Sequence, residues 1–590
     1  MWLRQSVEDT LKNIPYFQSL IKATRTLFIM GFATLDWIVL ASYFLVIGAI
    51  AWWVIQKSNN SAQDYFLAGR HMGWFVIGAA IFASNIGSEH VVGLAGTTYE
   101  HGMAMAYYEL HSWLVLLLGW VFIPFYLRSG VFTMPEFLER RYNPTARWML
   151  SVFSLLAYVL TKVSATVYAG AVVFDALMGI PFWTGALITV ILTGFYTMLG
   201  GLRAVVYTET LQAFVLLIGS IVIMVIGLGK VGGMEGLYET VGRTSFDMFR
   251  PPSDPDFPWP GVIVGGTIVG IWYWCTDQYI VQRTLAAANV KEARRGTIFA
   301  GLLKLAPVFI FMIPGLIAYA LAQDPDSGFA VVNSAGEEQA DLAFPAMVSF
   351  LLPVGLRGLV VGGLLAALMS SLAAVFNSCS TLFTMDIYRQ LKPDSGDKEL
   401  VTVGRIATGV VVLLGILWIP IMERISSQLY VYLQNVQAYL APPIFCAFVL
   451  GVAWRRINGQ GAVAGLITGF VLGLTRLLSE AFLITRSAAD ELLANGEAVT
   501  RPVVDGLFAS FIDLNFLYLA IVITSVISLV MVLVSLATPA PDPEQIRGLT
   551  FGSTTDEQKA ETRKSWGAAD VFWSLVVIAA IIGVMIWLRG

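Results

Sequence analysis

Gly73 to Gly96 is an apolar segment long enough to cross a bilayer, but its centre reads Ala83-Ser84-Asn85-Ile86-Gly87-Ser88-Glu89-His90. Trp74-Phe75-Val76-Ile77 lead into it and Val91-Val92-Gly93-Leu94 lead out, while the middle carries an amide, an acid and an imidazole. Polar groups at mid-membrane depth are costly, and non-helical backbone survives there only where it is buried in protein or lines a wet cavity. A helix interrupted at Gly87 frees carbonyls and amides that can hold something small. A chain with such a segment must enclose it in further spans.

The rest of the sequence supplies them. With 57% hydrophobic and 13% charged residues and a mean hydropathy of +0.72, the chain falls among polytopic membrane proteins. Apolar runs of about 20 residues predict fourteen spans, so the expected class is an all-α multi-pass protein of the cell (inner or plasma) membrane. The expected order is an amphipathic N-terminal extension (1–33), a peripheral first span (34–55), a set of five spans (73–229), a second set of five (260–452), two peripheral spans (461–537), a cytoplasmic linker (538–569) and a last span (570–588). Each set opens with a helix that is polar at its middle, the second being Gly270-Ile271-Trp272-Tyr273-Trp274-Cys275-Thr276-Asp277-Gln278. Two five-span units stand in opposite orientation, as in the inverted repeats of secondary transporters. Lys and Arg collect in alternate loops, which places the linker and those loops on the cytoplasmic side. The stretches 323–356 and 483–512 are the long outer loops. Cys275, Cys379 and Cys446 all fall in apolar runs, with neither disulfide nor metal-ligand spacing. No soluble region is large enough for a catalytic domain, so no enzyme is expected.

Ionisable residues inside the spans are few: Glu89, His90, Glu109, Lys162, Glu209, Asp277 and Lys304. Each must point inward, pair, or sit near an interface. Glu109 and Lys304 together could grip neighbouring hydroxyls of a ligand, one only accepting and the other only donating hydrogen bonds. A buried pair that holds helices together explains them equally well. Asn85, Ser88, Ser112, Gln434 and Asn435 offer neutral donors and acceptors, and Tyr108, Tyr273, Trp274 and Tyr430 offer flat apolar faces. That mixture suits a ligand with polar edges and an apolar ring face. Ser370-Ser371, mid-span among small residues, could join freed carbonyls in an uncharged oxygen cage for a monovalent cation. They could equally be helix-packing residues.

Longer motifs narrow the choice. Trp272-Tyr273-Trp274-Cys275-Thr276-Asp277-Gln278 with Val281-Gln282-Arg283-Thr284-Leu285, Phe383-Thr384-Met385-Asp386-Ile387-Tyr388, Gly200-Gly201-Leu202-Arg203-Ala204-Val205-Val206-Tyr207-Thr208 and Tyr439-Leu440-Ala441-Pro442-Pro443 closely resemble the sodium/glucose cotransporters of the solute:sodium symporter family. The resemblance runs from about Leu40 to the C-terminus. It implies a LeuT-type 5+5 inverted-repeat core with flanking helices, sodium (Na+) as the coupled ion, and a glucose- or galactose-like sugar carried inward by alternating access. Carried over by position, it implies sugar contacts from Asn85, His90, Glu109, Ser112, Tyr273, Lys304 and Gln434, with Ser88 and Trp274 beside them. Tyr273 would close the sugar from the inner side and Leu94, Tyr108 and Tyr430 from the outer side. Sodium would be held by main-chain oxygens of Ala83, Ile86 and Ala367 and the hydroxyls of Ser370 and Ser371, with Glu209 near its exit.

The chain departs from the family pattern at several places. Gly270 stands where some relatives carry a polar sugar contact, Glu209 where Asp is usual, and Ala373-Ala374 where members with a second sodium site carry hydroxyls, which favours one sodium per sugar. Expected partners are thus a small sugar, sodium and membrane lipid, with no nucleic acid, for a monomer or loose homo-oligomer. A myo-inositol or other polyol symporter, a sugar sensor or sugar-gated ion leak, and a proton-coupled carrier are the competing expectations.

Overall fold

The computed structural model describes residues 32–56, 61–87, 89–333, 336–422, 429–494, 498–499 and 501–589. The expected amphipathic extension therefore lies, up to residue 31, outside the described residues. The described chain is helical apart from short connections and one two-residue parallel pairing, Ile484–Thr485 with Val503–Val504. The helices that position the centre of the molecule are α1 (Thr34–Gln56), α2 (Trp74–Asn85), α3 (Ser112–Leu117), α4 (Phe182–Lys230), α5 (Trp259–Ile271), α6 (Gln278–Leu285), α7 (Val290–Leu303), α8 (Leu356–Thr381) and α9 (Leu429–Ala453).

Among the described residues eleven helices are long and apolar enough to cross a membrane, against fourteen expected. The difference has structural causes. α4 joins two expected spans through Gly201, which leaves helical geometry at φ 56° and ψ −161°. The two polar-centred segments are each divided into pieces, α2 and α5 being only 12 and 13 residues long. α7 also starts earlier than hydropathy suggests, because Asn289 caps it by accepting from the Glu292 amide. Lys291, Arg294 and Arg295 are thus helical rather than in a loop. The stretch 323–356 is likewise more than an outer loop: it contains the helix Ala343–Leu351, whose residues are almost all buried.

α8 is the central helix, with every residue from Val360 to Thr381 buried. Ala, Gly and Ser at close spacing let neighbouring helices approach it. The outer helices instead expose large apolar side chains, among them Leu45, Trp52, Phe195, Leu413 and Leu529, as a lipid-facing surface does. α1 is fixed to the start of α8 by Asp36. Its buried carboxylate accepts from the amides of Gly355 (2.7 Å) and Gly358 (3.0 Å) and from Arg357 Nη2 (2.8 Å).

The opposite end is tied by charge. Arg147 donates to Glu139 (2.5 Å) and Asp386 (2.8 Å), and Asp386 also accepts from Thr133 Oγ1 (2.7 Å). The linker 538–569 and the start of the last span pack on this same end: Gln545 donates to the Tyr142 carbonyl (2.7 Å), Arg294 to Ser565 Oγ (2.6 Å) and Arg295 to Asp570 (2.8 Å). The basic loops and the linker therefore share one face. Cys275, Cys379 and Cys446 are buried free thiols.

Removing one member of a buried ion pair leaves an uncompensated charge, at a cost of about 3–5 kcal/mol. Arg357→Ala is expected to lower the melting temperature of the detergent-solubilised protein clearly, and Arg357→Lys to recover part of it. An unchanged melting temperature in Arg357→Ala would show that Asp36 does not anchor α1.

Candidate functional site

α2 stops at Asn85 because the next residues, Ile86-Gly87, leave helical geometry; Ile86 is extended at φ −77° and ψ 95°. A wide turn over Glu89–Leu94 then resumes the helix. The second break mirrors the first. α5 runs into a wide turn over Trp272–Thr276, closed by the Asp277 amide donating to the Trp272 carbonyl (2.9 Å), and Asp277 is extended before it caps α6. Such i→i+5 turns recur at functional sites.

The two breaks satisfy one another. Asn85 Nδ2 donates to Tyr273 Oη (3.3 Å), and Tyr279 Oη donates to the Ser84 carbonyl. Ser84 Oγ donates to Glu209 Oε1 (3.1 Å), which also receives Arg283 Nη2 (2.9 Å). Asp277 accepts from Tyr158 Oη and from Lys162 Nζ (3.2 Å), and Lys162 lies 3.8 Å over the Tyr279 ring. Glu209, expected near an ion exit, thus bridges α2 to α6.

A small cavity of about 40 Å³ opens beside these breaks, lined by Asn85, His90, Tyr108, Glu109, His111, Val269, Gly270, Tyr273, Trp274, Lys304, Gln434 and Gln437. Lys304 reaches it because α7 ends at Leu303: Pro307 has no N–H to continue the ladder. Gln434 and Gln437 lie on α9 just ahead of Pro442-Pro443, which break the ladder there. At the cavity wall Lys304 forms an ion pair with Glu109, His90 Nε2 stands 3.3 Å from the same Glu109 oxygen, and Lys304 lies 5.6 Å over the Trp274 ring.

Seven of the nine expected ligand contacts therefore line one cavity. Ser112 is buried but outside the lining; it opens α3, and its carbonyl faces Gly301 of α7 instead. Ser88 and the side chain of Tyr430 lie outside the described residues. Of the expected closing residues, Tyr108 and Tyr273 are in the lining, whereas Leu94 is buried away from it. His111 and Gln437 are lining residues that sequence reading missed. Gln437 falls one turn after Gln434, a spacing that could have revealed it. Five buried polar atoms of this wall have no partner within the protein: Asn85 Oδ1, His90 Nδ1, Tyr108 Oη, His111 Nε2 and Gln434 Oε1.

The serine pair meets the other side of the same break. Ser370 Oγ stands 3.5 Å from the Ala83 carbonyl and Ser371 Oγ 3.4 Å from the Ser84 carbonyl, both long for a hydrogen bond. Ala367, one turn earlier on α8, is buried. Gly87 is required here, since a β-carbon on it would collide with Ser371 Oγ. Among the described residues no cluster of His, Cys, Asp or Glu is arranged to hold a metal. The donor set is neutral oxygen, which suits a monovalent cation rather than a divalent one.

The family model for the sodium:solute symporter family matches residues 65–469. The mouse sodium/myo-inositol cotransporter is 40% identical over 555 residues, covering 88% of this chain and 75% of the relative. Sodium/glucose cotransporter 4 of Danio rerio is 38% identical over 559 residues, covering 90% and 83%. Among solved structures, a Na+-coupled sialic acid symporter in a substrate-bound outward-open state superposes with a TM-score of 0.68 at 20% identity, covering 86% of this chain and 99% of that one. The fold is the LeuT-type fold of sodium-coupled transporters.

Glu109 and Lys304 are coupled whatever the cavity holds. Glu109→Gln and Lys304→Met are each expected to destabilise by about 3–5 kcal/mol, and the double variant by less than their sum, with a coupling of about 1–3 kcal/mol. Thermal unfolding of the four proteins measures it; additive losses would mean the two groups do not depend on each other.

Proposed function

Because the chain belongs to the sodium:solute symporter family, we propose that the solute it moves with sodium is a neutral polyhydroxy ring, a hexose such as glucose or galactose or the cyclitol myo-inositol. The observation that carries this reading is the set of five unpartnered polar atoms on the cavity wall. Two of them are amide oxygens, which call for O–H donors, and the hydroxyl and ring nitrogens can serve either role. The charges on the wall are already balanced by the Glu109–Lys304 pair, so a charged solute gains no counter-ion there. Tyr273, Trp274 and Tyr108 add flat faces for a ring. Relatives named for myo-inositol and for glucose transport support the same class; the two differ in how hydroxyls are displayed around a six-membered ring.

In this reading Asn85, His90, Glu109, Tyr273, Trp274, Lys304 and Gln434 bind the solute, and Tyr108 and Tyr273 close over it. Sodium is a co-substrate, held between the Ser370 and Ser371 hydroxyls and main-chain oxygens of Ala83, Ile86 and Ala367. Sodium then ties the end of α2 to α8 and favours the arrangement in which the solute groups are assembled. Inward opening of the two five-span units separates α2 from α8 and releases both. Affinity coupling is reciprocal, so the solute tightens sodium as sodium tightens the solute. An inward-negative potential contributes about 2.3 kcal/mol per charge per 100 mV, which lets one sodium drive uphill entry.

Radiolabelled glucose, galactose and myo-inositol uptake into proteoliposomes under an inward sodium gradient tests the reading. At least one is expected to accumulate above its outside concentration, and Ser371→Ala to raise the half-saturating sodium concentration on the order of tenfold, as loss of one ion ligand costs about 1.4 kcal/mol or more. Uptake indifferent to sodium and driven by a proton gradient would sink it, and current without solute accumulation would indicate a sensor or leak.

Stoichiometry follows from Ala373-Ala374, which offer no hydroxyls for a second ion. The reversal potential is expected to shift with the sodium and solute gradients as for one sodium per solute. A shift corresponding to two would place a further ion elsewhere in the chain.

A further inference from the structure

Gly270 leaves a gap in the cavity wall, and the neighbouring span fills it. A β-carbon at position 270 would collide with Leu114 Cδ1 and would also lie 2.8 Å from both Cε1 and Nδ1 of His111, closer than side chains approach one another. His111 occupies the loosened turn between helix Ala106–Glu109 and α3. Its carbonyl accepts the Leu114 and Val115 amides at 2.8 and 3.3 Å, so the residue is fixed by the start of α3. The ring packs against Tyr107 and Tyr108, with centroids 5.3 and 5.2 Å apart. The side chain is 2% exposed and part of the cavity wall.

Within that setting His111 Nε2 is buried with no partner. A buried polar atom without a partner is unfavourable and calls for an explanation. A ring nitrogen that served only packing could be replaced by carbon with profit, and beside the ring the α5 wall is the apolar pair Val269 and Gly270. On the far wall Glu109 is held by Lys304 and His90, and Asn85 Nδ2 by Tyr273, while Asn85 Oδ1, His90 Nδ1 and Gln434 Oε1 are left for a ligand. His111 Nε2 and Tyr108 Oη are thus the polar atoms on the α5 side that are left for a ligand, and of the two only His111 packs against Gly270.

We propose that His111 is a specificity-determining residue, its Nε2 hydrogen-bonded to one hydroxyl of the bound ring, and that Gly270 is the position that admits it. The proposal rests on the polyhydroxy-solute reading above. It assigns the two residues jointly: a side chain at 270 presses on the imidazole as well as on Leu114, and any smaller residue at 111 leaves one solute hydroxyl without its partner. Discrimination of this kind is strong, because a site built to pair a hydroxyl rejects the analogue that lacks it.

The test uses the full chain in proteoliposomes under a sodium gradient. The substrate is whichever of glucose, galactose and myo-inositol the wild type accumulates, together with the series of its monodeoxy analogues. His111→Ala is expected to raise the half-saturating concentration of the parent solute on the order of tenfold and to leave one deoxy analogue, the one missing the hydroxyl that His111 reads, nearly unaffected. Gly270→Ala should reproduce that pattern against the same analogue. His111→Gln, closer in volume and still polar, guards against loss of folding, and binding followed by tryptophan fluorescence in detergent with sodium present gives the same comparison without transport. Equal factors for the parent and every analogue in all three variants, or no change at all, would overturn the proposal and leave His111 a packing residue. Failure of the wild type to accumulate any of the three solutes would overturn the polyhydroxy-solute reading itself, and this assignment with it.

Discussion

Ending a helix in the middle of a membrane protein releases carbonyls and amides where no water is guaranteed, and the rest of this structure depends on how those groups are satisfied. Here the two broken helices answer each other. The Ser84 carbonyl at the end of α2 receives Tyr279 Oη from α6, and Ser84 Oγ reaches Glu209, which Arg283 of α6 also holds. Asp277 at the second break caps α6 and is held by Lys162. Three ion pairs, Glu109–Lys304, Asp277–Lys162 and Glu209–Arg283, are therefore buried in one apolar shell. Each charge would be prohibitive alone and is tolerable only with its partner. The pairs join segments far apart in sequence, so the breaks are stable only in the assembled fold.

The motifs that single the sequence out prove to be joints of that assembly. Gln282 donates to the Phe66 carbonyl and to Thr381 Oγ1, both at 2.8 Å; Gln278 accepts the Met134 amide at 2.8 Å; Asp386 holds Arg147. Tyr439, ahead of the proline pair, donates to Glu480 at 2.7 Å. None of these touches the cavity. They fix the helices that do.

What was legible in the sequence and what was not divides along physical lines. Polar residues within an apolar run announce themselves, so both breaks, the charged residues and the serine pair were found from the residues directly. Partners were not, because pairing across 74 to 195 residues leaves no local trace; on the residues alone Glu109 and Lys304 could be ligand contacts or a helix clamp, and the structure makes them both a pair and part of the cavity wall. The number of long apolar helices differs from the number of expected spans where two spans join without a change of composition, as at Gly201, and hydropathy did not show the buried helix Ala343–Leu351 inside a stretch read as loop. His111 went unnoticed since its exposure to the cavity depends on what is missing at Gly270, a property of two spans together. Ser112 shows the converse: its position matches a family contact, but at the start of α3 it is buried outside the cavity lining.

The placement of the two groups of ligating atoms limits how ion and solute can influence each other. Ser370 and Ser371 on α8 approach Ala83 and Ser84 and are absent from the cavity lining, while the next residue, Asn85, is in that lining and bonded to Tyr273. The shortest path between the proposed ion and solute positions is therefore the last turn of α2 itself. Whatever draws the end of α2 toward α8 also sets Asn85, and with it Tyr273, relative to the Glu109–Lys304 wall. Gly87 permits this approach, since a β-carbon there would press on Ser371. No long-range relay is needed: linkage between the two sites reduces to where one broken helix ends, and its strength is the difference in that position's free energy with and without the ion.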